Sequence, residues 1–177
     1  MARVHQHEQL EQLAMTDSLT GLHNRRVLED SLVRELRRGE RSGRPCALLF
    51  CDLDNFKRVN DKWDHAQGDQ LLQQVAAIIR QRLRRGDLAV RYGGDEFVVL
   101  LPETDVDSAV MVARDLRRRI EAIPGLISVT VSIGVAGSTR TALDGPALVA
   151  TADGAMYLAK RAGGNRVRRA RRRSRAG

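Results

Sequence analysis

The sequence predicts an α+β fold, with helices packed on a mostly antiparallel sheet. Three observations carry this expectation. Cys46-Ala47-Leu48-Leu49-Phe50-Cys51 is a near-continuous apolar run, as in a central strand buried on both faces. Leu88-Ala89-Val90 and Val98-Val99-Leu100-Leu101 flank a Gly-Gly pair and read as a tight β-hairpin. Around these runs apolar residues recur at helical spacing, so the elements follow the order strand, helix, hairpin, helix, strand.

Residues 1 to about 15 carry Leu10, Leu13 and Ala14 among Glu and Gln, the pattern of a short helix too brief to hold a coiled coil alone. Residues 1–16 are read as the end of a connector from an upstream sensor domain that this chain lacks. Asn24 is the expected N-cap of a helix to about Arg38, with Val27, Leu28, Leu32, Val33 and Leu36 on its inner face. A polar loop is expected over Gly39–Pro45. The central strand follows and ends in Asp52-Leu53-Asp54. A helix from about Asp69 to Arg85 is built on Leu71, Leu72, Val75, Ile78, Ile79 and Leu83. The Gly93-Gly94 pair is expected to take the positive φ values of a two-residue turn. Then come a helix from about Val106 to Ala122, a strand over Ser128–Val135, and a helix from about Pro146 to Arg161 with Gly163-Gly164 past its end. No internal repeat appears.

A length of 177 residues suits one domain with a substantial core. No run approaches the roughly eighteen apolar residues of a membrane span, and the N-terminus lacks a signal peptide's apolar segment, so a cytoplasmic module is expected. Cys46 and Cys51 lie an odd number of residues apart in one strand, on opposite faces, and are read as buried thiols. The histidines of His5-Gln6-His7 diverge on a helix, which argues against zinc. The net charge of +8 suggests nucleic acid until it is located: Arg166–Gly177 holds seven arginines and no acid, leaving 23 basic against 22 acidic residues elsewhere. The basicity is a tail, expected to be disordered from residue 167 to 177, and nucleic acid is not the expected partner.

Asp52 and Asp54 project to one face of their strand, while Asp95 and Glu96 alternate across the second hairpin strand. In an α+β layer the Asp52 end of the central strand can lie beside the hairpin tip, bringing about three carboxylates together. Like charges so close raise one another's pKa unless a cation neutralises them. Hard oxygen donors favour Mg²⁺ over zinc, and Mg²⁺ of this kind arrives with a nucleotide's phosphates. The chemistry best served is in-line phosphoryl or nucleotidyl transfer.

Five motifs stand in one order: "DSLTGLHNRR" from Asp17, "DLDNFKRVND" from Asp52, "HAQGD" from His65, "RYGGDEF" from Arg91 and "ADGAMYLAKRAGGN" from Ala152. With them the chain resembles a GGDEF domain, the diguanylate cyclase module of bacteria, over Asp17–Asn165, and residues 17–166 are read as that domain. The resemblance implies a five-stranded, mainly antiparallel sheet flanked by helices, similar to the nucleotide cyclase and polymerase palm. It implies condensation of two GTP into cyclic di-GMP across a homodimer, with Mg²⁺ as cofactor and Mn²⁺ as its substitute. Asp52, the carbonyl of Leu53 and Asp95 would hold the metal, Asp95 would also be the base, and Glu96 would complete the cluster. Asn60 and Asp69 would read guanine, with His65 as a further contact. The backbone at Asn55 and Phe56 would cradle phosphates, whose charge Lys57 and Lys160 would offset. The rings of Phe56, Phe97 and Tyr157 are expected in the core.

Two positions depart from the family pattern. Asp64 replaces the usual glycine before the histidine, and Gly164 replaces a phosphate-binding arginine, with Arg161 or Arg166 as stand-ins. Arg84 and Asp87 match an RxxD site at which cyclic di-GMP inhibits many members, although arginines at a helix end followed by a Gly-Asp turn also explain the stretch. The alternative from another functional class is a regulatory module that binds GTP or cyclic di-GMP without turnover.

Overall fold

The structure, a computed structural model, describes residues 15–125, 128–138 and 144–171. The expected N-terminal helix and residues 172–177 of the basic tail lie outside the described residues. The strands are β1 (His23–Asn24), β2 (Ala47–Asp54), β3 (Leu88–Arg91), β4 (Glu96–Leu101), β5 (Thr130–Gly137) and β6 (Val167–Arg169). The helices are α1 (Arg25–Ser42), α2 (Phe56–Lys62), α3 (His65–Arg82), α4 (Val106–Glu121) and α5 (Gly145–Arg161).

One sheet runs β1-β3-β4-β2-β5-β6. β2 lies at its centre, antiparallel to both β4 and β5, as its apolar run requires. Its two faces feed two cores. Leu49, Cys51 and Leu53 pack with Leu72, Val75 and Ile79 of α3 and Leu116 and Ile120 of α4. Leu48 and Phe50 pack on the other side with Leu28 and Leu32 of α1 and Leu148 and Met156 of α5. At about 1.5–3 kcal/mol for each large apolar side chain fully buried, this double burial anchors the strand that carries Asp52. Cys46 and Cys51 fall in opposite cores and are free thiols. Burial, with the Asp52 charge beside it, pushes the Cys51 thiol up to about 12, which leaves it inert.

Several expectations are corrected. The sheet has six strands rather than five, because β1 pairs with β3 and β6 with β5, both in parallel. β6 takes its residues from the segment expected to be disordered. Ile133 N–H donates to the Arg166 carbonyl at 2.9 Å, Ala170 N–H to Val135 at 2.8 Å, and Arg169 pairs with Asp107. α1 continues through the expected loop to Ser42 and stops at Gly43, whose φ of 71° lets its N–H reach the Gly39 carbonyl. Val33 is exposed, since Leu28 and Leu32 already define the buried face of α1. α3 begins at His65, four residues earlier than its apolar pattern, and ends at Arg82. Tyr157 is exposed, because Ala152, Ala155, Met156 and Ala159 turn the other side of α5 inward. Phe97 is buried and Phe56 packs on the core's edge, as expected.

The hairpin is present, but its turn is not a two-residue Gly-Gly turn. Tyr92–Asp95 separates the strands, and neither Gly93 nor Gly94 has a positive φ. A Cβ on Gly93 would stand 2.7 Å from Glu96 Oε2, so any side chain there would displace the end of Glu96.

Candidate active site

The register of the central strands joins the two acidic stretches. Asp52 of β2 is paired with Glu96 of β4, and Leu53 N–H donates to the Asp95 carbonyl at 3.1 Å. Lys160 reaches this edge from the last turn of α5. Its Nζ lies 2.7 Å from Asp52 Oδ1 and 3.6 Å from Asp54 Oδ1, and it donates to the Leu53 carbonyl at 3.2 Å. Apart from this ammonium, Asp52 Oδ1 is buried with no hydrogen-bond partner among the described residues. Burial raises the Asp52 pKa despite the ammonium, and the Asp95 and Asp54 charges add to the rise. Burial also raises Glu96, helped by Asp52, Asp95 and Asp153, with Lys160 opposing. The site thus concentrates negative charge that one lysine offsets only in part.

A brace sets the hairpin tip. Arg91 donates from Nε to the Gly93 carbonyl at 3.2 Å and from Nη2 to the Gly94 carbonyl at 2.9 Å. Its Nη1 meets both oxygens of Asp17, at 3.3 and 3.4 Å. Asp17 in turn accepts from the Thr20 N–H and hydroxyl, at 2.9 and 2.7 Å. Burial alone would raise the Asp17 pKa, but the Thr20 hydrogen bonds and Arg91 hold it below the usual carboxylate value. Three consecutive carbonyls of the tip are therefore gripped, two by Arg91 and one by Leu53. The sequence marks Asp17 and Arg91 only through their places in "DSLTGLHNRR" and "RYGGDEF".

Asp54 shares a strand face with Asp52 but not its situation. It is 9% exposed and accepts from Thr130 Oγ1, Ser132 Oγ and the Asn165 N–H, each at 2.8 Å. Its oxygens accept three hydrogen bonds, whereas Asp52 Oδ1 meets only the Lys160 ammonium among the described residues.

The expected nucleotide residues lie on α2, α3 and the turns around them. Asn55 precedes α2 at φ 63°, with its side chain free of any capping bond. Lys57 is exposed on α2. Asn60 Oδ1 is buried without a hydrogen-bond partner, and a Cβ on Gly68 would stand 2.0 Å from it, so Gly68 lets α3 close onto Asn60. His65 and Asp69, both exposed, flank Gly68 on α3. Gly68, next to Asp69 in the chain, thereby lies against Asn60, whose amide oxygen has no partner among the described residues.

Arg84 and Asp87 grip each other. Asp87 accepts from Arg84 N–H and Nε, both at 3.0 Å, and Arg84 Nη2 also reaches the Pro102 carbonyl and, at 2.9 Å, Thr104 Oγ1. The Asp87 side chain is 6% exposed against 60% for Arg84. The pair closes the turn between α3 and β3 and ties it to the end of β4.

The family profile described as "Diguanylate cyclase, GGDEF domain" matches residues 14–166. The chain belongs to the GGDEF family. It is 41% identical over 169 residues to the diguanylate cyclase DgcP of Pseudomonas aeruginosa, covering 92% of this chain and 25% of that protein. It is 37% identical over 163 residues to the response regulator PleD of Caulobacter vibrioides, covering 88% and 36%. The chain thus spans about a quarter to a third of the length of these relatives. Among solved structures, the coiled coil and GGDEF domain of DgcB from Caulobacter crescentus, in complex with c-di-GMP, superposes with a TM-score of 0.85 at 32% identity, covering 96% of this chain and 93% of that one.

Both departures from the GGDEF pattern have a structural account. Asp64 keeps a glycine-like backbone, φ 144° and ψ 175°, while its side chain caps α3 by accepting from Gln67 N–H at 2.9 Å. Gly164 stands at φ 70°, and a Cβ on it would lie 3.0 Å from the Asp54 carboxylate. Of the two arginines considered as stand-ins for a side chain at 164, Arg166 folds back on this turn, its Nε donating to the Gly164 carbonyl at 2.9 Å, while Arg161 is exposed at the end of α5.

The GGDEF edge also fits a hard cation. Among the described residues no three His, Cys, Asp or Glu side chains are grouped as a ready-made metal site. Mg²⁺ is commonly held by one or two carboxylates plus substrate phosphates, so two carboxylates and a carbonyl suffice. The Lys160 ammonium already gathers three oxygens at this edge, from Asp52, the Leu53 carbonyl and, farther off, Asp54.

Proposed function

We propose that this chain is a diguanylate cyclase module, joining two GTP molecules into cyclic di-GMP with release of two pyrophosphates. The observation that carries the reading is the pairing of Asp52 and Leu53 with Glu96 and Asp95 at one sheet edge. Each 3′-hydroxyl oxygen attacks the α-phosphorus of the other nucleotide, the bond to the β-phosphate breaks, and pyrophosphate leaves. Asp52, the Leu53 carbonyl and Asp95 would hold Mg²⁺, which supplies charge stabilisation to the attacking and leaving oxygens. Asp95 takes the hydroxyl proton, and Arg91 keeps the tip that presents it in place. Asn60 and Asp69 receive guanine, an amide and a carboxylate meeting its acceptor edge and N–H donors, with His65 beside them. Backbone groups at Asn55 and Phe56, with Lys57 and Lys160, receive the phosphates.

One domain presents one GTP, so a homodimer is part of this proposal. Cyclic di-GMP, which the DgcB GGDEF structure holds, is proposed to bind this chain as an inhibitor, and the residue types at Arg84 and Asp87 support that site. Gly164 favours a second reading, binding without useful turnover, because it removes a cationic side chain from the phosphate region. Incubation with GTP and Mg²⁺, followed by mass spectrometry of the product, separates the two. Cyclic di-GMP supports the cyclase, and bound but unconverted GTP supports the regulatory module.

A further inference from the structure

We infer that Asp54 is a positioning residue, not a metal ligand: it clamps the turn after α5 so that Lys160 meets Asp52 and the Leu53 carbonyl. The inference rests on the proposed active site, whose ligands already leave Asp54 out, and adds what Asp54 does there although it shares a strand face with Asp52.

The hydrogen bonds argue for it first. Thr130 and Ser132 lie on β5, where Thr130 is the register partner of Asp54 and Ser132 that of Asp52. Their hydroxyls donate to Oδ2 and Oδ1, and the Asn165 N–H adds a second bond to Oδ2. A carboxylate accepting three hydrogen bonds and so buried has little capacity left for a metal, whereas Asp52 Oδ1 faces the Lys160 ammonium and no other partner among the described residues.

The turn itself argues next. Gly164 N–H donates to the Ala159 carbonyl at 3.1 Å, so the turn that ends α5 begins one residue before Lys160. Gly164 brings its backbone against the Asp54 carboxylate, and Asn165 is held from the far side, its Oδ1 accepting from Arg117 at 2.8 Å and its Nδ2 donating to Glu121 at 2.7 Å. Asp54 thus ties β2, β5 and the end of α5 at one point. Lys160 hangs from that end, and its ammonium pairs with Asp52 at 2.7 Å.

Asparagine and alanine at position 54 separate a ligand from a clamp. An asparagine can accept from Thr130 and Asn165 with its carbonyl and donate to Ser132 with its amide, which keeps the clamp without the charge. Alanine leaves three donors unpaired. We expect Asp54→Asn to bind Mn²⁺ in the presence of GTP, read by electron paramagnetic resonance, within about threefold of wild type, and Asp54→Ala to lose about tenfold or more in kcat with a lower Tm. Thr130→Val, which touches no proposed ligand, should shift kcat in the same direction by less. Asp52→Asn should lose Mn²⁺ binding. If Asp54→Asn loses Mn²⁺ as Asp52→Asn does, Asp54 is a ligand and the inference is wrong; wild-type kcat in Asp54→Ala also overturns it. Should the wild-type protein make no cyclic di-GMP, the cyclase reading fails, while the Mn²⁺ measurements on position 54 still decide this one.

Discussion

Asp64→Gly is expected to stabilise the fold, against the usual trend for substitutions. Asp64 stands at φ 144° and ψ 175°, a region that is essentially glycine's own, and holding another residue there costs about 1–3 kcal/mol. Two losses oppose the relief. The side chain caps α3 through Gln67, but glycine at an N-cap is only a few tenths of a kcal/mol worse than aspartate. Glycine also loosens the unfolded chain, which costs about 0.4–1 kcal/mol. With ~2 kcal/mol for the strain and ~1 kcal/mol for the losses, the net gain is ~1 kcal/mol, or about 2–4 °C in Tm for a domain of this size. Thermal unfolding followed by circular dichroism at pH 7 measures it. A fall in Tm would refute the reasoning, because the cap would then outweigh the backbone strain. The same variant removes an acid beside His65, so KM for GTP should fall as well.

Arg91→Ala should lower kcat by about a hundredfold, since the tip carrying Asp95 loses two of its three carbonyl contacts, and unchanged kcat would show that the brace is dispensable. Arg84→Ala should weaken cyclic di-GMP binding in calorimetry and cost about 1–3 kcal/mol of stability by stripping the guanidinium from buried Asp87. Equal affinity with lower stability would leave Arg84 a purely structural clasp. Glu96→Gln should melt above wild type at pH 7. A carboxyl whose folded pKa is raised withdraws its stability as pH climbs from its ordinary value of 4.5 through the raised one, and glutamine does not ionise. The advantage should vanish below pH 4.5, where both side chains are neutral, and a difference that persists there would point to packing instead.

Features written in contiguous residues were legible before the structure. β2 was readable because an unbroken apolar run has few other uses, and the hairpin because two such runs flank the glycines. The convergence of Asp52 with Asp95 and Glu96 followed from placing strand ends side by side. What sequence concealed depends on partners far along the chain. The form of the hairpin turn follows from Arg91, which is fixed by Asp17, 74 residues away. The early start of α3 was hidden because His65–Gly68 offers no large apolar residue, and because Asp64 adopts a conformation that aspartate rarely takes. β1 and β6 are two and three residues long and pair in parallel, which leaves almost no periodicity to read. The difference between Asp52 and Asp54 arises from two hydroxyls on β5, more than 70 residues downstream.

The central claim, that Asp52-Leu53 and Asp95-Glu96 form one nucleotidyl-transfer centre, is tested most directly by the rate of cyclic di-GMP formation from GTP and Mg²⁺ in Asp95→Asn beside wild type. Loss of a metal ligand and base together should cost on the order of a hundred- to a thousandfold, with the circular dichroism spectrum and Tm retained. An Asp95→Asn protein that keeps more than about a tenth of wild-type activity would contradict the claim, because the electrostatic group assigned to the reaction would then be dispensable.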